Sequence, residues 1–203
     1  MDAWEEVGIS NSTLTAIGDD GEEDFLYRCE NIYFYDSNID LYNFDNITNY
    51  GTVTIDNSYI KGVKIQVFFA GDTNLTVKKS TIETQVVCGL TYSYYDTGKM
   101  LFEESTIIIT SPTGGTQDGF VIKNSEAVFK NCDIVMNLNL DSKYTFKNGF
   151  SIYDSSVTFE NTYISINSCY AFHTHQTEPG LIKFIGDYQP VNSSFYEVYD
   201  GTS

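Results

Sequence analysis

Apolar and polar residues alternate in six short segments of this chain, and each segment ends at an isoleucine. The segments read IYFYDSNI, VTIDNSYI, LTVKKSTI, MLFEESTI, AVFKNCDI and VTFENTYI, and their last residues are Ile39, Ile60, Ile82, Ile107, Ile134 and Ile164. These isoleucines follow one another at intervals of 21, 22, 25, 27 and 30 residues. Strand-like alternation that recurs at such a period is typical of a solenoid, in which each unit buries its apolar face only by stacking on its neighbours.

The first, third and last positions of each segment are apolar, so a strand would place them on one face. Stacked segments would align these positions into three internal columns. The first column would hold Ile32, Val53, Leu75, Met100, Ala127 and Val157. The second would hold Phe34, Ile55, Val77, Phe102, Phe129 and Phe159, and the isoleucines would form the third. Ile182 and Phe184 give a seventh, weaker copy of the same pattern.

A polar residue followed by a small residue separates the two strands of each segment. These pairs are Asp36-Ser37, Asn57-Ser58, Lys79-Ser80, Glu104-Ser105, Asn131-Cys132 and Asn161-Thr162. They predict a tight corner with the small residue pointing inward, because a large side chain there would collide with the coils above and below. A third apolar strand precedes several segments, at 25–27, 119–122 and 149–152. Each coil is therefore predicted to contain three short strands.

These patterns predict an all-β fold, a parallel β-helix of six to seven coils formed by residues 25–185. Residues 1–24 are predicted to form an N-terminal cap and a first partial coil. The cap would include a short helix over 2–9 that lays Trp4 over the first coil and protects it from edge pairing. Residues 186–203 would form a C-terminal extension or an incomplete last coil.

Segments such as GFSIYDSSVTFENTYISI and GTVTIDNSYI resemble coils of right-handed parallel β-helix proteins. This group includes the pectin-lyase-like superfamily, the β-helical passengers of bacterial surface proteins, and phage tailspikes. The resemblance covers roughly residues 25–185. It implies a right-handed coil and an extracellular, cell-surface or virion-associated location, but many unrelated functions share this scaffold. The lyases of the superfamily typically hold acidic sugars with basic residues, whereas this chain has one arginine, Arg28.

The chain is strongly acidic, with 11 Lys and Arg against 28 Asp and Glu among 203 residues and a net charge of −17. Such a surface repels nucleic-acid phosphates and anionic membranes, so we expect no nucleic-acid partner. No apolar run approaches the roughly 18–20 residues that cross a bilayer, which predicts no membrane insertion. Of the four cysteines, Cys132 falls in the inward small-residue column and is predicted to be a buried thiol.

The outward face of the first strand carries a column of residues whose charges mostly alternate in sign: Tyr35, Asp56, Lys78, Glu103, Lys130 and Glu160. One interpretation is an ion-pair ladder that stabilises the strand register. The other is a glycosidase-like pair of carboxylates, Glu103 and Glu160, two coils apart with Lys130 between them.

The outward face of the second strand reads Asn38, Tyr59, Thr81, Thr106, Asp133 and Tyr163. Sugar rings stack on aromatic planes while their hydroxyls form hydrogen bonds, so this polar, tyrosine-containing face is a candidate carbohydrate-binding surface. The candidate ligand residues are Tyr59, Tyr163, Asn38 and Asp133. Aromatic and threonine ladders also stabilise sheets without binding anything, and this alternative stays open.

Two further groups are candidate ion sites. The acidic run that contains Asp19, Asp20 and Glu22 offers the oxygen ligands and the glycine turn that calcium sites use, although it lacks the spacing of a defined calcium loop. His173 and His175 alternate on one strand and could bind a metal or donate protons. The sequence requires no cofactor, and calcium is the candidate ion.

The leading hypothesis is a non-catalytic extracellular β-solenoid segment of a surface, adhesin-like or tailspike-type protein. Its expected partners are glycans or host and cell-surface proteins, and end-to-end or trimeric self-association is a further expectation. The alternative is a carbohydrate-active enzyme, either a polysaccharide lyase or a glycoside hydrolase. Its cleft would lie beside the insertions after Ile107 and Ile134, and its candidate catalytic residues are Glu103, Glu160, Asp133 and His173.

Overall fold

The chain folds as a parallel β-solenoid. The computed structural model describes residues 4–19, 24–26, 29–44, 46–92, 98–111, 118–138, 148–167, 170–174 and 180–186. The strands are β1 (Trp4–Ser10), β2 (Thr13–Ile17), β3 (Cys29–Tyr35), β4 (Asn38–Tyr42), β5 (Thr48–Asp56), β6 (Tyr59–Lys78), β7 (Thr81–Tyr92), β8 (Lys99–Glu103), β9 (Thr106–Ser111), β10 (Phe120–Lys123), β11 (Glu126–Lys130), β12 (Asp133–Leu138), β13 (Asn148–Tyr153), β14 (Ser156–Glu160), β15 (Tyr163–Asn167), β16 (Tyr170–Thr174) and β17 (Leu181–Ile185). The described residues include no helix, and so none that could cross a membrane.

The strands form three parallel sheets around the core. The first sheet contains β1, β3, β5, the second half of β6, β8, β11, β14 and β17. The second contains β2, β4, the first parts of β6 and β7, β9, β12 and β15. The third contains β10, β13 and β16, and it continues through the later parts of β6 and β7. The coils number about five rather than the predicted six to seven. The third sheet carries a strand in five successive windings, in β6, β7, β10, β13 and β16.

The strand register confirms the predicted apolar columns. The six isoleucines are Cα partners from coil to coil, and each is at most 4 % exposed. In the second column Phe129 stacks on Phe102 at 4.7 Å and on Phe159 at 5.2 Å between ring centroids. The third sheet adds a parallel stack in which Phe150 lies 4.9 Å from Phe120 and 5.4 Å from Phe172. Stacked aromatic rings contribute attraction beyond the area they bury.

The predicted corners are also confirmed, and each has the same backbone geometry. The polar residue of each pair has positive φ, from 45° at Asn161 to 52° at Asn131. The small residue that follows is buried and links neighbouring coils: Ser58 Oγ donates to the Asp56 carbonyl (2.8 Å) and accepts the Ser37 N–H (3.1 Å). Cys132 takes the equivalent position and is 2 % exposed, and burial raises the pKa of its thiol.

Two local predictions require correction. The expected N-terminal helix is not found, because Trp4–Ser10 is strand β1, which pairs with β3 and places Val7 beside Ile32. Pairing that extends the apolar columns outweighs the helical tendency of such a short segment. The expected strand at 25–27 is instead a turn at Phe25 and Leu26, whose N–H groups donate to the carbonyls of Asn46 and Ile47 at 2.9 and 2.8 Å. Tyr27 lies outside the described residues.

Candidate functional site

The four predicted ligand residues lie on one line along the outer face of the second sheet. Asn38 is the Cα partner of Tyr59, and Asp133 is the Cα partner of Tyr163. Thr81 and Thr106 occupy the intervening coils in the same register. Since neighbouring strands are about 4.8 Å apart, Tyr59 and Asp133 are separated by about 14 Å along the solenoid axis. The line thus carries two pairs, each made of one polar residue and one tyrosine.

A groove of about 600 Å³ follows the corner beside the first of these pairs. The corner residues with positive φ form one wall, and the first residues of the second-sheet strands form the other. The small corner residues lie between them. The groove is lined by Asn11, Ser12, Thr13, Asp36, Ser37, Asn38, Asn57, Ser58, Tyr59, Lys79 and Thr81. It is open to solvent and is lined by polar and charged residues, with Tyr59 as its aromatic side chain.

Hydrogen bonds hold the side chains of the groove in place. Asn57 Nδ2 donates to Asp36 Oδ1 at 2.6 Å on one wall. On the other wall Tyr59 Oη donates to Glu83 Oε2 at 2.7 Å, and Lys61 Nζ lies 3.3 Å from Glu83 Oε1. Burial and the bond to Glu83 raise the pKa of Tyr59 to about 12, while that same bond and Lys61 lower the pKa of Glu83. The Tyr59 ring is therefore a neutral, oriented surface.

The same corner geometry continues at the second pair. Asn131 and Asn161 have φ of 52° and 45°, and Asn161 Nδ2 donates to Asn131 Oδ1 at 3.4 Å. Asp133 is exposed, and Tyr163 is 41 % exposed. A ligand that follows the corner would meet Tyr59 near one end and Tyr163 near the other.

A second corner groove, of about 430 Å³, lies between the third and first sheets. Its corner residues Asn124 and Asp154 have φ of 49° and 45°, and the Ser125 N–H donates to Ser155 Oγ at 3.0 Å. The groove is lined by Lys99, Asn124, Ser125, Glu126, Asp154, Ser155 and Ser156. Its described lining lacks an aromatic side chain, which makes it a poorer surface for stacking a sugar ring.

The candidate catalytic residues are distributed over all three sheets. Glu103 and Glu160 face outward on the first sheet, and Lys130 is the Cα partner of both. Glu103 Oε2 lies 3.4 Å from Lys78 Nζ, as expected for part of an ion-pair ladder. Asp133 begins β12 on the second sheet, and His173 lies in β16 on the third. The described residues do not bring these four side chains into one cluster.

The candidate ion ligands are only partly described. Asp19 is exposed, whereas Asp20, Glu22 and His175 lie outside the described residues. Within the described part of the chain, no three or more His, Cys, Asp and Glu side chains form a group that could hold a metal ion.

Sequence reasoning missed the residues that surround His173. Ser151 is the Cα partner of His173 on the neighbouring strand, and Ser151 Oγ donates to Asp118 Oδ2 at 2.5 Å. Asn148 also contacts both Ser151 and Asp118. Burial raises the pKa of Asp118. One signal was present in the sequence, since Asp118 and Asn148 each precede a Gly-Phe pair at equivalent points of successive coils.

The corner groove and the Ser151 cluster are therefore the two arrangements from which function can be argued. No protein-family model, curated protein sequence or solved structure matches this chain.

Proposed function

We propose that this chain is a non-catalytic, extracellular β-solenoid segment of a surface, adhesin-like or tailspike-type protein that binds carbohydrate along the corner groove. The observation that supports the proposal is the line of Asn38, Tyr59, Asp133 and Tyr163 in one register, with Thr81 and Thr106 between the two pairs. Asn38 and Tyr59 also line the groove of about 600 Å³.

The chemistry of the groove suits a sugar chain. A sugar ring presents an apolar face that stacks on an aromatic plane, and its hydroxyl groups donate and accept hydrogen bonds. Tyr59 supplies a plane whose orientation is held by its bond to Glu83. Asn38 supplies a neighbouring amide on the adjacent strand. Because these groups lie on paired strands rather than loops, a ligand loses little free energy in ordering them.

The net charge of the chain favours neutral glycans over acidic ones as ligands. The net charge of −17 disfavours acidic polysaccharides, since long-range repulsion slows the approach of an anion. The groove itself contains Asp36 and Lys79 as its ionisable charged side chains. Neutral glycans are therefore the proposed ligands.

The test is a glycan array and titration calorimetry with the whole chain, with and without calcium. Tyr163→Ala is expected to weaken binding of a neutral glycan by about two- to tenfold, since an aromatic contact contributes about 0.5–1.5 kcal/mol. Tyr163→Phe should retain most of the affinity. Tyr35→Ala is the matched control, because Tyr35 is also exposed, at 38 %, but faces outward on the first sheet.

Equal losses of affinity in Tyr163→Ala and Tyr35→Ala would contradict the outer face of the second sheet as the binding surface. Absence of binding to every neutral glycan on the array would contradict the binding function altogether. Binding that depends on calcium would instead support a role for an ion in holding the ligand.

The alternative function is a carbohydrate-active enzyme, a polysaccharide lyase or glycoside hydrolase on the same scaffold. Glu103 and Glu160 favour it, because two strand spacings place them about 10 Å apart, near the separation of an inverting carboxylate pair. Lys130 lies between them and argues against a shared substrate. Release of reducing ends that Glu103→Gln or Glu160→Gln abolishes would establish the enzyme and overturn the non-catalytic proposal.

Further elements of the proposal follow from the resemblance of the repeats. They are a right-handed coil, affiliation with the pectin-lyase-like superfamily, and a location at the cell surface or on a virion. Host or cell-surface proteins and further copies of the chain, end to end or as trimers, are the proposed macromolecular partners. Light scattering at increasing protein concentration tests self-association.

A further inference from the structure

Asp118, Asn148, Ser151 and His173 form a polar cluster on the third sheet, centred on Ser151. Ser151 is fully buried, and its Oγ donates to Asp118 Oδ2 (2.5 Å) and accepts from Asn148 Nδ2 (3.0 Å). The Asn148 N–H donates to Asp118 Oδ1 (2.7 Å). His173 is paired with Ser151 on the adjacent parallel strand, and such strands lie about 4.8 Å apart. The Asp118, Asn148 and Ser151 side chains are thus in direct contact, and His173 lies on the next strand in the register of Ser151 and interacts electrostatically with Asp118.

Two buried atoms of this cluster lack a hydrogen-bond partner. One is Asn148 Oδ1, in a residue that is 6 % exposed, and the other is His173 Nδ1. Asn148 Oδ1 belongs to the amide whose nitrogen is already bonded to Ser151. A buried polar atom without a partner costs about 1–3 kcal/mol, and native proteins usually place a water molecule or an ion beside it.

The Asp118 carboxylate also lacks a permanently charged partner, and the charge interaction that favours its ionised form comes from His173. Among the described residues, no lysine or arginine forms an ion pair with Asp118. A divalent cation would give the Asp118 carboxylate a fixed positive charge and would also give Asn148 Oδ1 and an unprotonated His173 Nδ1 a partner. A water molecule would satisfy the acceptors but would leave the carboxylate without a counterion.

We propose that this cluster binds one divalent cation, with Asp118, Asn148 Oδ1 and His173 Nδ1 as its ligands and Ser151 orienting the carboxylate. The imidazole nitrogen favours Zn²⁺ or Mn²⁺ over Ca²⁺, which takes oxygen ligands almost exclusively. The site is separate from the acidic run at Asp19 and from the corner groove, so it does not depend on carbohydrate binding.

The test is titration of the chelator-treated whole chain with Mn²⁺, Zn²⁺ and Ca²⁺ separately. Bound Mn²⁺ is followed by electron paramagnetic resonance, and Zn²⁺ by calorimetry. We expect one tight Mn²⁺ or Zn²⁺ per chain and weaker Ca²⁺ binding. Asp118→Asn and His173→Gln should each raise the dissociation constant of the metal tenfold or more. Loss of a residue that only hydrogen-bonds a metal ligand already lowers metal affinity about 10–100-fold, and loss of a ligand should cost at least as much.

The controls separate this site from the acidic surface and from the other histidine. Asp133→Asn removes the same charge from an exposed position and should leave the tight site intact. His175→Gln should also leave it intact. Pulsed electron paramagnetic resonance of Mn²⁺ in the unaltered chain should show coupling to an imidazole nitrogen that His173→Gln removes, which tests the ligand even if a variant is less stable.

Three results would overturn the proposal. The first is the absence of a stoichiometric cation, which would leave a buried water molecule as the occupant. The second is an equal effect of Asp118→Asn and Asp133→Asn, which would indicate diffuse binding to the acidic surface. The third is an unchanged nitrogen coupling in His173→Gln.

Discussion

At the residue scale, the groove depends on a few side-chain contacts between neighbouring coils. Tyr59, Lys61 and Glu83 form one connected group, in which Glu83 accepts a hydrogen bond from the phenol and forms an ion pair with the amine. The bond to Tyr59 is the largest cause of the lowered pKa of Glu83. The same bond orients the aromatic ring that the proposed function requires.

The lowered pKa of Glu83 predicts a pH-dependent contribution to stability. A carboxyl group whose folded pKa lies below its ordinary value of 4.5 stabilises the fold above that value. The contribution is lost as the pH falls through the lowered pKa of the folded chain. Glu83→Gln should therefore reduce the melting temperature at pH 7 and have little effect in strong acid, as measured by thermal unfolding across this range. The change should be small, because 38 % of the side chain is exposed and solvent screens the charges.

Tyr59→Phe is the control for this effect, because it removes the phenolic donor. The loss of melting temperature that Glu83→Gln causes at pH 7 should therefore be smaller in a chain that already carries Tyr59→Phe. An undiminished loss in that double variant would show that Lys61 alone stabilises the carboxylate.

At the element scale, the corners determine how the strands join. Each corner residue adopts positive φ, and most are Asn or Asp, whose short polar side chains tolerate this conformation. Lys79 and Glu104 occupy the same position, with φ of 47° and 51°, without that advantage. The corner geometry is thus imposed by pairing with the coils on either side rather than by the local residue.

Glu104→Asn is accordingly expected to stabilise the chain. Left-handed backbone costs an ordinary residue about 1–2 kcal/mol, and asparagine recovers part of this, so we expect a gain of up to about 1 kcal/mol in the free energy of unfolding. Urea denaturation measures it. Glu126→Asn, at the exposed start of β11, should give no gain, and equal gains at both positions would contradict the backbone explanation.

At the scale of the whole molecule, stability comes from continuous columns through the stacked coils. Phe129 illustrates this, since it contacts the rings of Phe102 and Phe159 in the coils on either side as well as Phe150 on the third sheet. Because each coil packs only on its neighbours, a defect in the middle weakens the coupling between the two halves.

Phe129→Ala should therefore lower the free energy of unfolding by about 3–5 kcal/mol. Val135→Ala, at an outward position 38 % exposed, should change it by no more than about 0.5 kcal/mol. Urea denaturation compares them, and hydrogen exchange should show β11 and its neighbours opening first in Phe129→Ala. Comparable losses in the two variants would mean that the column contributes little.

The extent to which the site could be predicted differs between its parts. The line of Asn38, Tyr59, Asp133 and Tyr163 was predictable, because one register shared by all coils places equivalent positions side by side. The groove beside this line could not be predicted, because the groove arises from the positive φ of corner residues such as Asp36. The partnership of Tyr59 with Glu83 also escaped prediction, since it joins different positions in different coils.

The parallel solenoid, the three apolar columns and the buried small residue at each corner follow from the amino-acid sequence alone. These features depend on local alternation of period two and on repetition, both of which can be counted along the chain. Three features required the folded chain to be known: Trp4–Ser10 is a strand, Phe25 lies in a turn, and Asp118 contacts Ser151 and Asn148. These outcomes depend on which segments become neighbours when coils of unequal length stack, and local patterns do not contain that information.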